Sequence, residues 1–177
     1  MKSTGMVRRI DELGRIVIPK EIRNSLRLHD GENMEILIDD SGSIVLKRYM
    51  IMNKLEGLAQ NFTDAIHSLI KKNVLITDVD KIIAFSGNLK KEYLKKEISD
   101  DLIERIKRRE FILEKHNKPL YLVNDKSIEC TYTVNTIIIN GDAVGLIIIF
   151  SPDEKLSETD SKIIKIVSSF LERYLSN

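Results

Sequence analysis

The sequence predicts an α+β protein built of two segments. Three observations lead there. Two hairpin patterns around one short helix fill the first fifty residues, and a three-to-four-residue apolar period runs over 54–71. Beyond it, alternating strand patterns close on a second long amphipathic helix. The second segment reads as an antiparallel sheet with helices packed on one face, its other face and loops left free.

In chain order, Met6 to Ile10 and Arg15 to Ile18 flank Asp11-Glu12-Leu13-Gly14, where the glycine supplies the positive φ that closes a turn. Pro19 opens a helix, at a position where no backbone N–H is missed. That helix places Ile22 and Leu26 on one face and Arg23 and Arg27 on a neighbouring one. Gly31 ends the connection, and Met34 to Ile38 with Ile44 to Lys47 form a second hairpin around Asp39-Asp40-Ser41-Gly42. Two hairpins and one helix bury too little apolar surface to be stable alone. An obligate dimer with a shared core is therefore expected.

The domain boundary falls at 52/53, giving domains 1–52 and 53–177, with the helix over 54–71 as connector. The join Met50-Ile51-Met52-Asn53 holds neither Pro nor Gly, which points to coupled rather than loosely tethered domains. Leu55, Leu58, Ala59, Phe62, Ile66, Leu69 and Ile70 form the apolar stripe of the connector, a core face that could also pair with another subunit's helix. Val74 to Thr77 and Ile82 to Phe85 bracket the turn Asp78-Val79-Asp80-Lys81. Ser99 caps a helix with Asp100 and Asp101 in its first turn and Arg105, Lys107, Arg108 and Arg109 at its end. The helix dipole favours that order, so this basic run reads as a solvated helix end.

Leu120 to Val123, Cys130 to Ile139 and Ala143 to Phe150 are strand-like, the last two joined by the tight-turn pair Asn140-Gly141. Ser157 and Asp160 open the final helix, with Ile163, Ile164, Val167, Phe170, Leu171, Tyr174 and Leu175 along one side.

Composition narrows the function. No apolar run approaches the ~20 residues of a membrane helix, and MKSTGMVRR lacks the apolar segment of a signal peptide, so a cytoplasmic protein with no membrane partner is expected. One cysteine, Cys130, excludes an intrachain disulfide framework and a Cys-based zinc site. His29, His67 and His116 sit in a turn, on a helix and in a loop, without metal-ligand spacing. Charge is uneven: residues 1–28 hold seven basic groups against three acids, a balance of +4, which leaves −3 for the remainder. Such asymmetry suits a polyanion-facing end on a neutral body.

The run MKSTGMVRRIDELGRIVIPKEIRNSLRL, followed by MEILIDDSGSIVLKRY, closely resembles the swapped-hairpin DNA-binding domain of the AbrB transition-state regulators over residues 1–49. The segment from about Gly57 to Asn177 resembles a GAF domain. The resemblance implies interleaved hairpins from two chains, a β-barrel dimer, and double-stranded DNA as partner. Matched position by position, it places DNA contacts at Arg8, Arg9, Arg15 and Arg23, to which Lys2, Lys20 and Arg27 add basic charge. Neighbouring residues of a regular strand point to opposite faces, so Arg8 and Arg9 cannot both face the duplex from one. The chain departs from the family at Asn24, where a second basic residue is common. Within the family, an AbrB-like domain followed by a GAF-like one points to a regulator of late sporulation genes, activator and repressor, working as a dimer or tetramer. Few polar readers such as Asn or Gln accompany the arginines, so contacts to the DNA backbone and tolerance for varied A·T-rich sites are expected.

Two readings stand for the GAF-like segment. In one, a small-molecule effector occupies a cavity whose mouth is formed by Ser86 to Tyr93 and Asn124 to Glu129. In the other, the core is filled and serves oligomerisation. No cofactor, catalytic residue or metal ligand is assigned, and no ligand-binding residue is named. Some GAF-like proteins reduce methionine sulfoxide, but that chemistry requires more than one reactive cysteine, and Cys130 stands alone in an apparent strand. Two other classes remain. One is a toxin-binding antitoxin, which appends a flexible tail where this chain appends a folded domain. The other is a scaffold with no DNA partner.

Overall fold

The computed structural model describes residues 5–26, 28, 30–31, 33–48 and 56–175. Lys2, Arg27, His29, the join at 50–53 and Leu55 lie outside the described residues. The chain divides into two compact units, Met1–Tyr49 and Met50–Asn177.

In the first unit, β1 (Met34–Ile38) pairs antiparallel with β2 (Ile44–Arg48), Ile36 opposite Leu46. Asp39 ties their turn: its N–H donates to Ser43 O (3.0 Å), and its Oδ1 accepts the N–H groups of Ser41 (3.0 Å) and Ser43 (2.8 Å). Gly42, at φ 79°, donates to Asp39 O at 2.9 Å. The first turn repeats this wiring. Asp11 N–H donates to Arg15 O (3.0 Å), its Oδ1 accepts from Leu13 (3.0 Å) and Arg15 (2.8 Å), and Gly14 at φ 76° donates to Asp11 O (2.9 Å).

The arms of that first turn, however, form no ladder with each other, contrary to the expected strand pair. Val7 is 85% and Val17 74% exposed, with Ile10 and Ile16 also outside, so among the described residues the arms have no apolar layer to pack on. An isolated two-stranded pair is marginal without one. α1 (Lys20–Ser25) follows, with Pro19 as its N-cap and no buried residue.

The second unit is a five-stranded antiparallel sheet in the order β4-β3-β7-β6-β5. Its elements are α2 (Glu56–Ile70), β3 (Asn73–Thr77), β4 (Ile82–Ser86), α3 (Lys90–Tyr93), α4 (Asp100–Arg108), β5 (Phe111–Val123), β6 (Lys126–Ile139), β7 (Asp142–Ser151) and α5 (Glu158–Leu175). Period-two alternation sends Val74, Ile76, Ile147 and Ile149 to one face, where Ala59 and Ile66 of α2 and Ile164, Val167 and Leu171 of α5 cover them. Leu75, Leu146, Ile148 and Phe150 point to the other face.

That second face is not free, as the sequence suggested. Tyr93 of α3 and Leu102 and Ile106 of α4 bury it. The strands are apolar on both sides, which an antiparallel sheet tolerates only when both sides are covered.

Two further expectations are corrected. β5 starts at Phe111 rather than Leu120, so His116 lies on a strand, inside a register shift between Glu114 and Lys118. The segment Asn124 to Glu129 is a tight turn at Asn124-Asp125 followed by the start of β6, not a loop at a cavity mouth. The β6–β7 turn is as expected: Asn140 and Gly141 take φ 51° and 87°. On α5, Phe170 and Tyr174 are exposed despite lying in the apolar pattern, as is Leu69 on α2.

Polar groups hold the helices in place. Gln60 of α2 reaches the main chain of β4: its Nε2 donates to Phe85 O (3.1 Å) and its Oε1 accepts Phe85 N–H (3.4 Å). Ser86 Oγ donates to Thr63 Oγ1 (2.9 Å) and bonds Asp64 on the same helix. Farther along β4, Ile82 exchanges bonds with Lys95 N and Lys96 O, each 2.9 Å, so the edge strand is covered rather than left as a template for aggregation. At the start of α5, Ser157 N–H donates to Asp160 Oδ2 (2.7 Å) and Asp160 N–H to Ser157 Oγ (3.3 Å), a reciprocal cap. The same Asp160 oxygen takes the ammonium of Lys72 at 2.7 Å, both side chains being nearly buried.

Candidate nucleic-acid interface

The basic residues of the first unit sit on three successive pieces of chain. Arg8 and Arg9 lie on the arm before the Asp11 turn, Arg15 on the arm after it, and Lys20 and Arg23 on α1. Arg8, Arg9, Arg15 and Lys20 are exposed and Arg23 is half-buried. Because residues 5–10 are not a regular strand, the alternation that would send Arg8 and Arg9 to opposite faces does not apply. Arg8 Nη1 donates to Val7 O at 3.0 Å.

Two of the arginines are held by acids. Arg15 Nε donates to Asp11 Oδ2 at 2.7 Å, while its backbone N–H occupies Oδ1. These two bonds from Arg15, backbone first and side chain second, hold the Asp11 carboxyl below the usual carboxylate range. Arg23 Nη1 donates to Asp30 Oδ1 at 2.9 Å, and Arg23 Nε is buried without a hydrogen-bond partner among the described residues.

A guanidinium bound through Nε still presents two Nη groups at its tip. That planar fork is what grips a phosphate or a guanine edge in two places. Asn24 is exposed on α1, next to Arg23, and carries no charge.

Sequence reasoning singled out the arginines and missed the acids that orient them. The signal for Asp11 was present as a repeat: Asp, two residues, Gly and one more residue occurs at 11–15 and again at 39–43. Asp30, seven residues from Arg23, had no periodic signal, since the chain turns out of the helix between them.

In the second unit, the volume beneath α3 is filled. Tyr93 stacks on Phe85 with ring centroids 6.3 Å apart, and Phe150 meets Phe85 edge-on at 6.2 Å. An open cleft of about 340 Å³ lies instead along α4, lined by Asp100, Asp101, Glu104, Arg105, Arg108 and Glu110, a surface of paired opposite charges. Cys130 is fully buried on β6, and burial pushes its thiol up to about 12. Such a thiol is not a nucleophile at neutral pH. His67 Nδ1 is 2.7 Å from Lys72 O. Among the described residues no group of three His, Cys, Asp or Glu could hold a metal, and no helix is long and apolar enough to cross a membrane.

Similarity to known proteins gives the class: a DNA-binding transcription regulator, its first unit AbrB-like and its second GAF-like in fold. Residues 54–176 match the family described as stage V sporulation protein T C-terminal, transcription factor, and the chain belongs to that family. It is 42% identical to stage V sporulation protein T of Bacillus subtilis (strain 168), across 99% of both chains. Residues 7–51 match the family described as antidote-toxin recognition MazE, bacterial antitoxin. Over 49 residues, 28% of this chain and 50% of the relative, it is 53% identical to the transition state regulatory protein AbrB of the same organism.

Among solved structures, a GAF domain/HD domain protein from Geobacter sulfurreducens superposes with a TM-score of 0.56 at 11% identity, over 73% of this chain and 97% of that one. A type II free methionine-R-sulfoxide reductase from Thermoplasma acidophilum gives 0.55 at 15% identity, over 71% and 94%. At such identities the likeness is one of fold. The family itself is one of transcription factors and not of enzymes.

Proposed function

We propose that the chain regulates late sporulation genes, as activator and repressor, by binding A·T-rich promoter DNA in the cytoplasm as a dimer or tetramer. The observation that carries this reading is the run of basic side chains on three consecutive pieces of an AbrB-like unit, Arg8, Arg9, Arg15 and Lys20 exposed and Arg23 half-buried. Arg8, Arg9, Arg15 and Arg23 make the principal contacts, with Lys2, Lys20 and Arg27 adding phosphate attraction.

A second copy covers the exposed Val7, Ile10, Ile16 and Val17 and doubles the basic surface. Ile166, Phe170 and Tyr174, four residues apart on α5, form a further exposed apolar face that supports pairing of dimers. A small-molecule effector in the second unit enters beneath α3 by displacing Tyr93, and regulation follows from its preference for that opened arrangement.

The test is fluorescence anisotropy of an A·T-rich duplex at several salt concentrations. Affinity falls with a log–log slope of about −0.9 per phosphate neutralised. Arg8→Ala and Arg23→Ala each flatten it by about one unit for every phosphate the variant no longer neutralises. Absence of binding even at low salt removes the DNA reading. A selection returning one strict consensus with steep losses at every base removes the A·T-tolerant form of it.

The antitoxin-family match over 7–51 favours a second reading, a DNA-binding partner of a toxin. Co-purification with a toxin supports it. The folded second unit, where antitoxins carry a flexible tail, speaks against it.

A further inference from the structure

The two turns of the first unit form an internal control. Both place an aspartate at the first position and accept the N–H groups two and four residues on with Oδ1, and both close on a glycine of nearly equal φ, 76° and 79°. They differ at the second, third and fifth positions: Glu12, Leu13 and Arg15 in one, Asp40, Ser41 and Ser43 in the other. There the Ser41 hydroxyl donates to Asp39 Oδ1 at 2.6 Å, while among the described residues no guanidinium reaches Oδ2. The second turn forms with no guanidinium on its aspartate, so the bond from Arg15 Nε to Asp11 Oδ2, 2.7 Å, is not required by the turn. Its effect falls on Arg15. A long side chain with free torsions is held at Nε, the atom nearest the stem, while its two Nη groups remain for a ligand.

From this we infer that Asp11 is a positioning residue for DNA discrimination: it fixes the direction of the Arg15 fork and offsets some of its charge. The inference rests on the DNA-contact role of Arg15 proposed above. With Asp11 in place, Arg15 gains most where the narrow, strongly negative minor groove of an A·T-rich tract lies along the fixed direction. Without that carboxylate, Arg15 is free to follow any nearby phosphate, an attraction that carries no sequence information.

The experiment compares A·T-rich and G·C-rich duplexes of equal length, in the full chain, at matched salt. Asp11→Asn keeps an Oδ1 acceptor for the turn and replaces Oδ2 with a donor that repels Nε. It tightens binding to the G·C-rich duplex and lowers the ratio of the A·T-rich to the G·C-rich affinity by roughly fivefold or more, the scale of one discriminated base pair. Asp39→Asn makes the same change in the turn without an arginine and leaves the ratio as it was.

Should Asp11→Asn fail to fold, Arg15→Lys tests the same claim with the carboxylate intact. Lysine retains the charge but has no Nε to be held, and the ratio falls by a similar factor. An unchanged ratio in Asp11→Asn or Arg15→Lys, while Arg15→Ala lowers it, overturns the positioning role and spares the DNA contact. If Arg15→Ala also changes neither ratio nor salt slope, Arg15 does not touch DNA and the positioning role falls with it. Equal falls in Asp11→Asn and Asp39→Asn trace the effect to loop integrity and also overturn the inference.

Discussion

Replacing Asp160 with alanine tests how the second unit is held together. One carboxylate oxygen, Asp160 Oδ2, receives the Lys72 ammonium at 2.7 Å, Ser157 N–H at 2.7 Å and Ser157 Oγ at 2.9 Å. Lys72 is 10% and Asp160 4% exposed. Removing the aspartate leaves a buried ammonium with only Lys155 O, at 3.2 Å, among its bonds in the described residues. Breaking a buried pair in this way costs about 3–5 kcal/mol. Loss of the helix cap costs ~1 kcal/mol but draws on the same oxygen, so the two do not add in full. The expected total is about 4 kcal/mol, or a melting temperature lowered by roughly 10–20 °C for a unit of this size.

The assay is urea unfolding followed by tyrosine fluorescence, since four of the five tyrosines lie in the second unit and the chain has no Trp. The decisive sample is the double variant. Lys72→Met in the Asp160→Ala background removes the stranded charge, so the double variant is more stable than Asp160→Ala alone. If the double variant is equally or less stable, the buried-charge reasoning is wrong. Protonation gives the same answer by another route. Burial works to raise the Asp160 carboxyl, but Lys72 and the Ser157 groups together outweigh it and hold it below the usual range. A carboxyl lowered on folding adds stability that is full above its unfolded value and lost as pH falls through the folded one. This contribution therefore disappears below about pH 4, in acid.

Asp78 has the opposite sign. Burial raises its carboxyl, against the pull of the Lys81 and Asp80 N–H groups, and Oδ2 has no partner among the described residues. Its favourable contribution is present in acid and lost as pH rises through the raised value, so Asp78→Asn costs less at about pH 7 than at about pH 3 in the same unfolding assay. Gly145→Ala puts a Cβ 2.0 Å from Thr77 O, a main-chain atom that cannot swing aside. The expected loss is at the upper end of the ~1–3 kcal/mol of overpacking, read as a shift in urea midpoint at constant slope. Cys130, buried with its thiol pushed up to about 12, reacts with an aromatic disulfide reagent in mild alkali only as fast as the second unit opens. Immediate labelling of the native protein would contradict that placement.

What was legible in the sequence was local. Asn140-Gly141, the Ser157–Asp160 cap and the Ser99 cap each place a side chain or a positive φ within four residues of the group it serves. The AbrB-like run was legible for a different reason, as continuous similarity over 49 residues. The first half of β5 was not. It is an edge strand, exposed from Lys115 to Pro119, so nothing forces apolar alternation there, and the irregular pairing after Glu114 breaks what period remains. Nor was the cover on the second sheet face: part of it comes from α3, a helix of only four residues, and although the helix after Ser99 was foreseen, nothing local showed that its Leu102 and Ile106 would cover that face. In the candidate interface the cations announced themselves through composition. Asp11 was read there as a turn residue only, since a side chain that serves turn and arginine at once leaves the same mark as one that serves the turn.

The Gln60 amide on Phe85 alters what kind of machine element α2 can be. A helix seated on a sheet by aliphatic side chains slides by fractions of an ångström at small cost, since one methyl contact replaces another. Here the helix is keyed to the strand by bonds at 3.1 and 3.4 Å, to atoms that do not rotate, and by Ser86 to two residues one turn farther on. A shift along its axis breaks them together and regains none until another residue arrives in register. Gradual adjustment is closed to it; what remains is staying or letting go. A displacement of β4 therefore pulls on the first turns of α2 through these bonds, which make the contact there a ratchet tooth and not a bearing.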